Sequence, residues 1–199
     1  MAGRQRRLTL RRPSLPITPG SEARATIGLH ASGAGRGLRC MSSSPAPSTA
    51  PVLGTRRICQ IAVVVRDLEK SARAYAEFFA LPVPAFITTD GSHGGHHIFR
   101  GQPTDARCKL AFFELENTTI ELIQPLGGDS SWQAVLDEKG EGVHHIAFQV
   151  QDSPGKTRTL AANGMALLHQ GGDPGSGQFS YFDARAQLGL LIETLEGYK

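Results

Sequence analysis

From residue 58 onward the apolar positions fall into short β-type runs, interrupted once in each half of the chain by a stretch of helical spacing. Ile58 to Val65 is apolar and rich in β-branched residues, which predicts a strand. Arg66-Asp67 then turns the chain into Leu68 to Phe79, where Leu68, Ala72, Tyr75, Ala76 and Phe79 recur at helical spacing, with Asp67 placed to cap the first turn and Leu81-Pro82 to stop the helix. Ala85 to Thr88 reads as a short strand followed by a long glycine-containing loop. Lys109 to Glu114 and Thr118 to Gln124 form a hairpin pattern across Glu116-Asn117. A connecting helix is expected over Ser131 to Lys139. The second half repeats the plan, with a strand over His144 to Val150, a helix over Pro154 to Asn163, and strands near Ala166 to His169, Gln178 to Phe182 and Leu188 to Leu195. The class is α+β: two βαβββ modules, 57–128 and 141–197, neither able to cover both faces of its sheet alone. Paired, they are expected to form a cupped mixed sheet.

The repeat carries chemistry. Gln60-Ile61-Ala62-Val63-Val64-Val65-Arg66-Asp67 returns as His145-Ile146-Ala147-Phe148-Gln149-Val150-Gln151-Asp152, and a metal-ligand residue type opens each copy. Each copy is followed by an apolar strand with one carboxylate in it, Glu121 within Thr119 to Ile123 and Glu193 within Leu191 to Leu195. A carboxylate or imidazole in a buried strand is costly unless compensated, and a bound cation compensates four such groups at once. Strand alternation gives Gln60 the same face as the small Ala62 and Val64.

Charge changes the picture only outside these modules. Residues 1–50 hold eight arginines against one acid, Glu22, whereas the rest of the chain carries a net charge of −4, so the overall +3 gives the folded part no basic footprint for nucleic acid. Residues 1–54 lack periodicity and are rich in Ser, Pro, Gly and Arg, which sets them outside the fold as a disordered basic leader. That leader resembles a transit peptide, implying the mitochondrial matrix or another organelle; translation from Met41 would instead imply the cytoplasm. No apolar run is long enough to cross a bilayer, the longest being Ile61 to Val65, so no membrane partner is expected. Cys40, Cys59 and Cys108 lack C-x-x-C spacing, which argues against a disulfide framework and for a reducing compartment.

The segments Val65-Arg66-Asp67-Leu68-Glu69-Lys70, Asn117-Thr118-Thr119-Ile120-Glu121-Leu122, Gln124-Pro125-Leu126-Gly127 and Glu141-Gly142-Val143-His144-His145-Ile146-Ala147 resemble the vicinal oxygen chelate (glyoxalase) superfamily. Within it, their wording is similar to that of the methylmalonyl-CoA epimerases. The resemblance implies a cup holding one divalent metal ion (Co, Mn, Ni, Zn or Mg) on Gln60, Glu121, His145 and Glu193. His144, of opposite parity to His145, is expected to point away from the cup. The epimerases usually carry histidine where this chain has Gln60, and the Gln/Glu/His/Glu set is instead similar to that of glyoxalase I. Both activities remove a proton beside a carbonyl with the enolate oxygen held on the metal. The implied substrate is a small molecule, an acyl-CoA thioester or a glutathione adduct, and the resemblance leaves room for a homodimer. Glu193 is the expected base. An ungapped count back from Glu121 makes Asp105 the expected second proton carrier. A third enzyme reading, extradiol dioxygenase chemistry, fits Gln60 poorly, and a metal-free binding module is the non-catalytic alternative. His93, His96 and His97 in the glycine-rich loop are expected to line or cover the cleft mouth or to be solvated, Trp132 and Phe182 to pack, and Arg100, Arg107 and Lys109 to be available to coenzyme A phosphates.

Overall fold

A computed structural model describes residues 50–92, 96–173 and 177–198; residues 1–49, Met41 among them, and His93 lie outside the described residues, whereas the end of the segment read as leader is not outside the fold, because Leu53 is buried with Leu160, Phe182 and Ile192. The first module comprises β1 (Gln60–Val64), α1 (Leu68–Phe79), β2 (Ile87–Thr88), β3 (Ile98–Phe99), β4 (Gln102–Pro103), β5 (Cys108–Glu114) and β6 (Thr119–Pro125). A linking helix, α2 (Ser131–Lys139), leads to the second: β7 (Gly142–Gln149), α3 (Ser153–Ala162), β8 (Ala166–Asp173), β9 (Gly177–Asp183), α4 (Arg185–Leu188) and β10 (Leu191–Glu196). All ten strands join one mixed sheet in the order β2-β5-β6-β1-β7-β10-β9-β8-β3-β4. The repeat is therefore visible as symmetry: β2-β5-β6-β1 mirrors β8-β9-β10-β7, and the two opening strands meet antiparallel at the centre. The expected pairing of modules holds, as one continuous sheet.

The segment read as a long loop contains a hairpin. Its strands β3 and β4 leave the first module: β3 pairs with β8 of the second, with Phe99 opposite His169, and β4 pairs with β3 as the edge of the sheet. Gly91, which precedes this hairpin, has a φ of +85°, and a Cβ there would stand 2.6 Å from the Asp105 carbonyl oxygen. Two other boundaries moved. β8 runs on to Asp173, and β10 begins at Leu191 because residues 185–188 form a helical turn ended by Gly189 in the left-handed region.

The helices divide the core. α1 starts where the Asp67 side chain accepts from the Lys70 amide, and it buries Leu68, Ala72 and Ala76 over Ala111, Phe113 and Leu122. Leu160 of α3 packs with Phe182, Ile192 and Ile146 in the second module. The residues under these two helices have the parity opposite to Gln60, Glu121, His145 and Glu193, so α1 and α3 cover the convex face. α2 packs on the concave side, where Trp132, Val135 and Leu136 lie against Ala62, Val64 and Ile123 and close one end of the cup. Burial of each large apolar side chain in these clusters contributes roughly 1.5–3 kcal/mol.

Candidate metal centre

Register places the four expected residues in two adjacent cross-strand rows. Glu121 on β6 and His145 on β7 both stand opposite Ala62 of β1, one on each side. In the next row Gln60 is flanked by Thr119 and Ala147, and Ala147 by Glu193. Ala62 and Ala147 are fully buried, and each presents only a methyl group between two longer polar side chains. The small residues of the repeat thus make the floor on which the polar groups meet.

His145 Nε2 lies 2.9 Å from Glu193 Oε2 and 3.6 Å from Glu121 Oε2, and all three residues are buried. None of the three atoms has a partner in hydrogen-bond geometry. Among the described residues no group of three or more His, Cys, Asp or Glu side chains is placed, as it stands, to hold a metal ion. What the structure does hold is three orphaned polar atoms, contributed by both modules, facing one another. An unsatisfied buried polar atom costs about 1–3 kcal/mol, so three together are a poor use of a core unless a further group joins them. Oxygen and nitrogen donors bonded to one cation at about 2.0–2.2 Å stand about 3 Å apart, and the two separations bracket that value. The donor set fits a divalent ion.

The other polar atoms explain how the cluster is held. The Gln60 side chain acts on the Glu121 carboxyl in the sense that favours its charged form. Tyr181 stands opposite Glu193 across β9 and β10 and acts on its carboxyl in the sense that favours the charged form, and the Trp132 Nε1–H donates to the phenolic oxygen of Tyr181 at 3.2 Å. An indole nitrogen can only donate, so the phenol accepts there and keeps its own proton for another group. Burial and the Glu193 charge push the Glu121 carboxyl well above its usual range, burial pushes Glu193 up to about 8, and burial pushes His145 down to about 3. In the absence of a cation, desolvation thus favours the neutral form of every group. A positive charge at their meeting point reverses the preference of the carboxylates.

Beside the cluster opens a cavity of about 320 Å³, walled by Leu110, Phe112, Phe179 and Leu195 and reached by Gln60, Glu121 and Glu193. Cys108 lines it too, its thiol pushed up to about 12 by burial. Asp105 is not part of this site. It is exposed, precedes β5 and is absent from the cavity wall. It lies before β5, whose face turned to the cavity carries Cys108, Leu110, Phe112 and Glu114. Arg100, Arg107 and Lys109 are also outside the wall; the first lies over Phe99, and Lys109 over Phe86 while paired with Glu69.

Three expectations about individual residues change. His144 does not point away. The pairing of β1 with β7 shifts register between Ala62 and Val63, which stand opposite His145 and Val143, so His144 is the extra residue of a β-bulge. Its ring meets that of Tyr181 edge-on, with centroids 5.1 Å apart, and its Nδ1 lies 2.8 Å from Nδ1 of His145. Trp132 packs as expected but also orients Tyr181. His97 is buried, with Nε2 2.7 Å from Nε2 of His169, whereas His96 is exposed near Asp173. Phe182 is fully buried core, as read. Tyr181 escaped the sequence reading, although its alternation with Phe179 along a predicted strand was a usable signal.

Comparison with known proteins gives the same fold and supplies a family. A protein of Bacillus halodurans of hypothetical function is 22% identical with a TM-score of 0.54, the alignment covering 72% of this chain and 95% of that one. A methylmalonyl-CoA epimerase solved with methylmalonyl-CoA and ammonium is 20% identical with a TM-score of 0.52, covering 70% and 93%. Among sequences, the mitochondrial methylmalonyl-CoA epimerase of Bos taurus is 30% identical over 112 residues, 56% of this chain and 56% of that protein. The ethylmalonyl-CoA/methylmalonyl-CoA epimerase of Cereibacter sphaeroides is 29% identical over 116 residues, 58% and 76%. The chain thus spans little more than half the length of the bovine relative. The profile of the Glyoxalase/Bleomycin resistance protein/Dioxygenase superfamily matches residues 59–182, across both halves of the repeat, and the chain belongs to that superfamily.

Proposed function

We infer that this protein is a metal-dependent enzyme that removes a proton from the carbon beside a carbonyl, acting on an acyl-CoA thioester of the methylmalonyl-CoA type. The observation that carries the reading is the meeting of Glu121 Oε2, His145 Nε2 and Glu193 Oε2, unpartnered and buried, beside an apolar cavity. The relatives named as epimerases favour the thioester over other carbonyl compounds. Gln60, Glu121, His145 and Glu193 would hold the divalent ion, which would supply Lewis-acid stabilisation of the enolate oxygen. With no sulfur among the donors, Co²⁺, Mn²⁺, Ni²⁺, Zn²⁺ and Mg²⁺ all suit the set.

The chain's own residues divide the remaining work. The Glu193 carboxylate, which reaches the cavity, accepts the α-proton and returns it, with Tyr181 beside it across the strand pair. Leu110, Phe112 and Leu195 exclude water from the cavity, which strengthens every electrostatic interaction within it. Asp105 has no part in this account.

Glyoxalase-I-type isomerisation of a glutathione hemithioacetal is a second reading, favoured by two observations. The ligand set has glutamine and glutamate where both come from the first module, and the expected second proton carrier is off the cavity wall. A metal-free binding module is the rival without chemistry. One pair of assays separates the three: solvent deuterium entering methylmalonyl-CoA, followed by NMR, and formation of S-lactoylglutathione from methylglyoxal and glutathione. Deuterium incorporation that requires the divalent ion is the expected result. Lactoylglutathione formation without it would transfer the assignment to the second reading, and loss of neither activity on chelation would remove the metal from the mechanism.

A further inference from the structure

The bulge in β7 brings the two neighbouring imidazoles to the same side of the sheet, and the chemistry of their contact has a direction. His145 Nε2 faces Glu121 and Glu193; it lies 2.9 Å from Glu193 Oε2, yet not in hydrogen-bond geometry. Where that nitrogen takes a cation, as in the functional reading above, it presents a lone pair and not a proton. A neutral imidazole with a lone pair on Nε2 carries its proton on Nδ1, and the group 2.8 Å from His145 Nδ1 is His144 Nδ1. His144 must then accept, which leaves its own proton on Nε2.

We propose that His144 is the positioning residue for His145: by accepting from Nδ1–H it fixes the tautomer and ring plane that turn the Nε2 lone pair toward the two carboxylates. The inference rests on the reading that these groups hold a cation. Its cause in the fold is specific, since a regular strand would have sent His144 to the convex face, among the side chains around Ile146. His144 is buried against Tyr181 and has no access to the cavity wall, so it touches neither substrate nor metal.

The test uses the full chain and has two independent readouts. Long-range ¹H–¹⁵N correlation spectra of the metal-free protein report the tautomers directly. The proposal expects Nδ1–H on His145 and Nε2–H on His144, and the reverse pattern overturns it. Titration with Zn²⁺ or Co²⁺ alone then compares two variants. In His144→Asn the side-chain oxygen occupies the place of Nδ1 and can still accept, so affinity stays within about threefold; His144→Phe keeps a ring without an acceptor and loses about 10–100-fold, the range typical of removing a partner behind a metal-bound histidine. Equal affinities for the two variants overturn the proposal. If His144→Phe does not fold, the Asn variant still decides, because a 10-fold or larger loss there contradicts the acceptor role. Failure of the wild-type protein to bind either ion would contradict the functional reading above, while the tautomer pattern would still decide the role of His144.

Discussion

The two modules contribute to the centre unequally. The first gives Gln60 and Glu121, with Glu121 buried and Gln60 only half-buried. The second gives His145 and Glu193, both buried and each with a further side chain beside it, His144 next to one and Tyr181, held by Trp132, opposite the other. A buried charge-bearing group supported from behind keeps its direction when the ligand leaves, whereas a half-exposed amide can turn away. The difference assigns the geometry of the site to the second module and its openness to the first.

The largest expected effects lie in the second module. Replacing Glu193 by Gln should lower α-proton exchange by about 10²–10⁴-fold, the contribution typical of a positioned general base, with NMR-detected deuterium incorporation as the measure. Gln60→Ala should cost only about tenfold in the same assay, roughly 1.4 kcal/mol; equal losses at the two positions would break the comparison. Metal binding should appear as stability next. An ion present at 100 times its dissociation constant adds about 2.7 kcal/mol, which corresponds to a rise of about 5–10 °C in Tm for a chain of this size, and His145→Ala should abolish the rise in a thermal melt. Gln60→His, which gives the first module an imidazole, should tighten Zn²⁺ or Co²⁺ binding in a competition titration by about tenfold.

Smaller effects test the edges of the site. Asp105→Ala should leave exchange within about threefold, because the carboxylate is exposed and off the cavity wall; a larger fall would return it to the mechanism. Asp183, outside the centre, is held below the usual carboxylate range chiefly by hydrogen bonds from Arg185. A depressed folded-state pKa contributes stability that is present above the unfolded value and lost as pH falls through the folded one. Asp183→Asn should therefore cost under about 1 kcal/mol at neutral pH, since the pair is partly exposed, and the gap in denaturation midpoint should close below the carboxylate range.

Much of this arrangement was legible because strands write their faces into parity. Gln60, Glu121, His145 and Glu193 were found as polar residues in repeat-equivalent strands, and Ala62 marked the small floor between them. What parity could not carry was the bulge: one extra residue in β7 reverses the face of His144 without any change in hydrophobic pattern. The hairpin β3–β4 was missed for a related reason, since each of its strands has two residues and its pairing with β8 is a long-range choice made in the other module. Counting along the chain puts Asp105 level with the site in sequence, yet its side chain is exposed and off the cavity wall, because position along a chain does not fix which surface a loop residue faces. Trp132 read as packing because composition shows a ring and not where its N–H is aimed.

The most direct test is anomalous diffraction at the absorption edge of a bound Co²⁺ or Zn²⁺ in crystals of the full chain. The account predicts one peak, within bonding distance of Glu121, His145 and Glu193 and adjacent to Gln60. A peak on other residues, or none after equilibration with either ion, would contradict it.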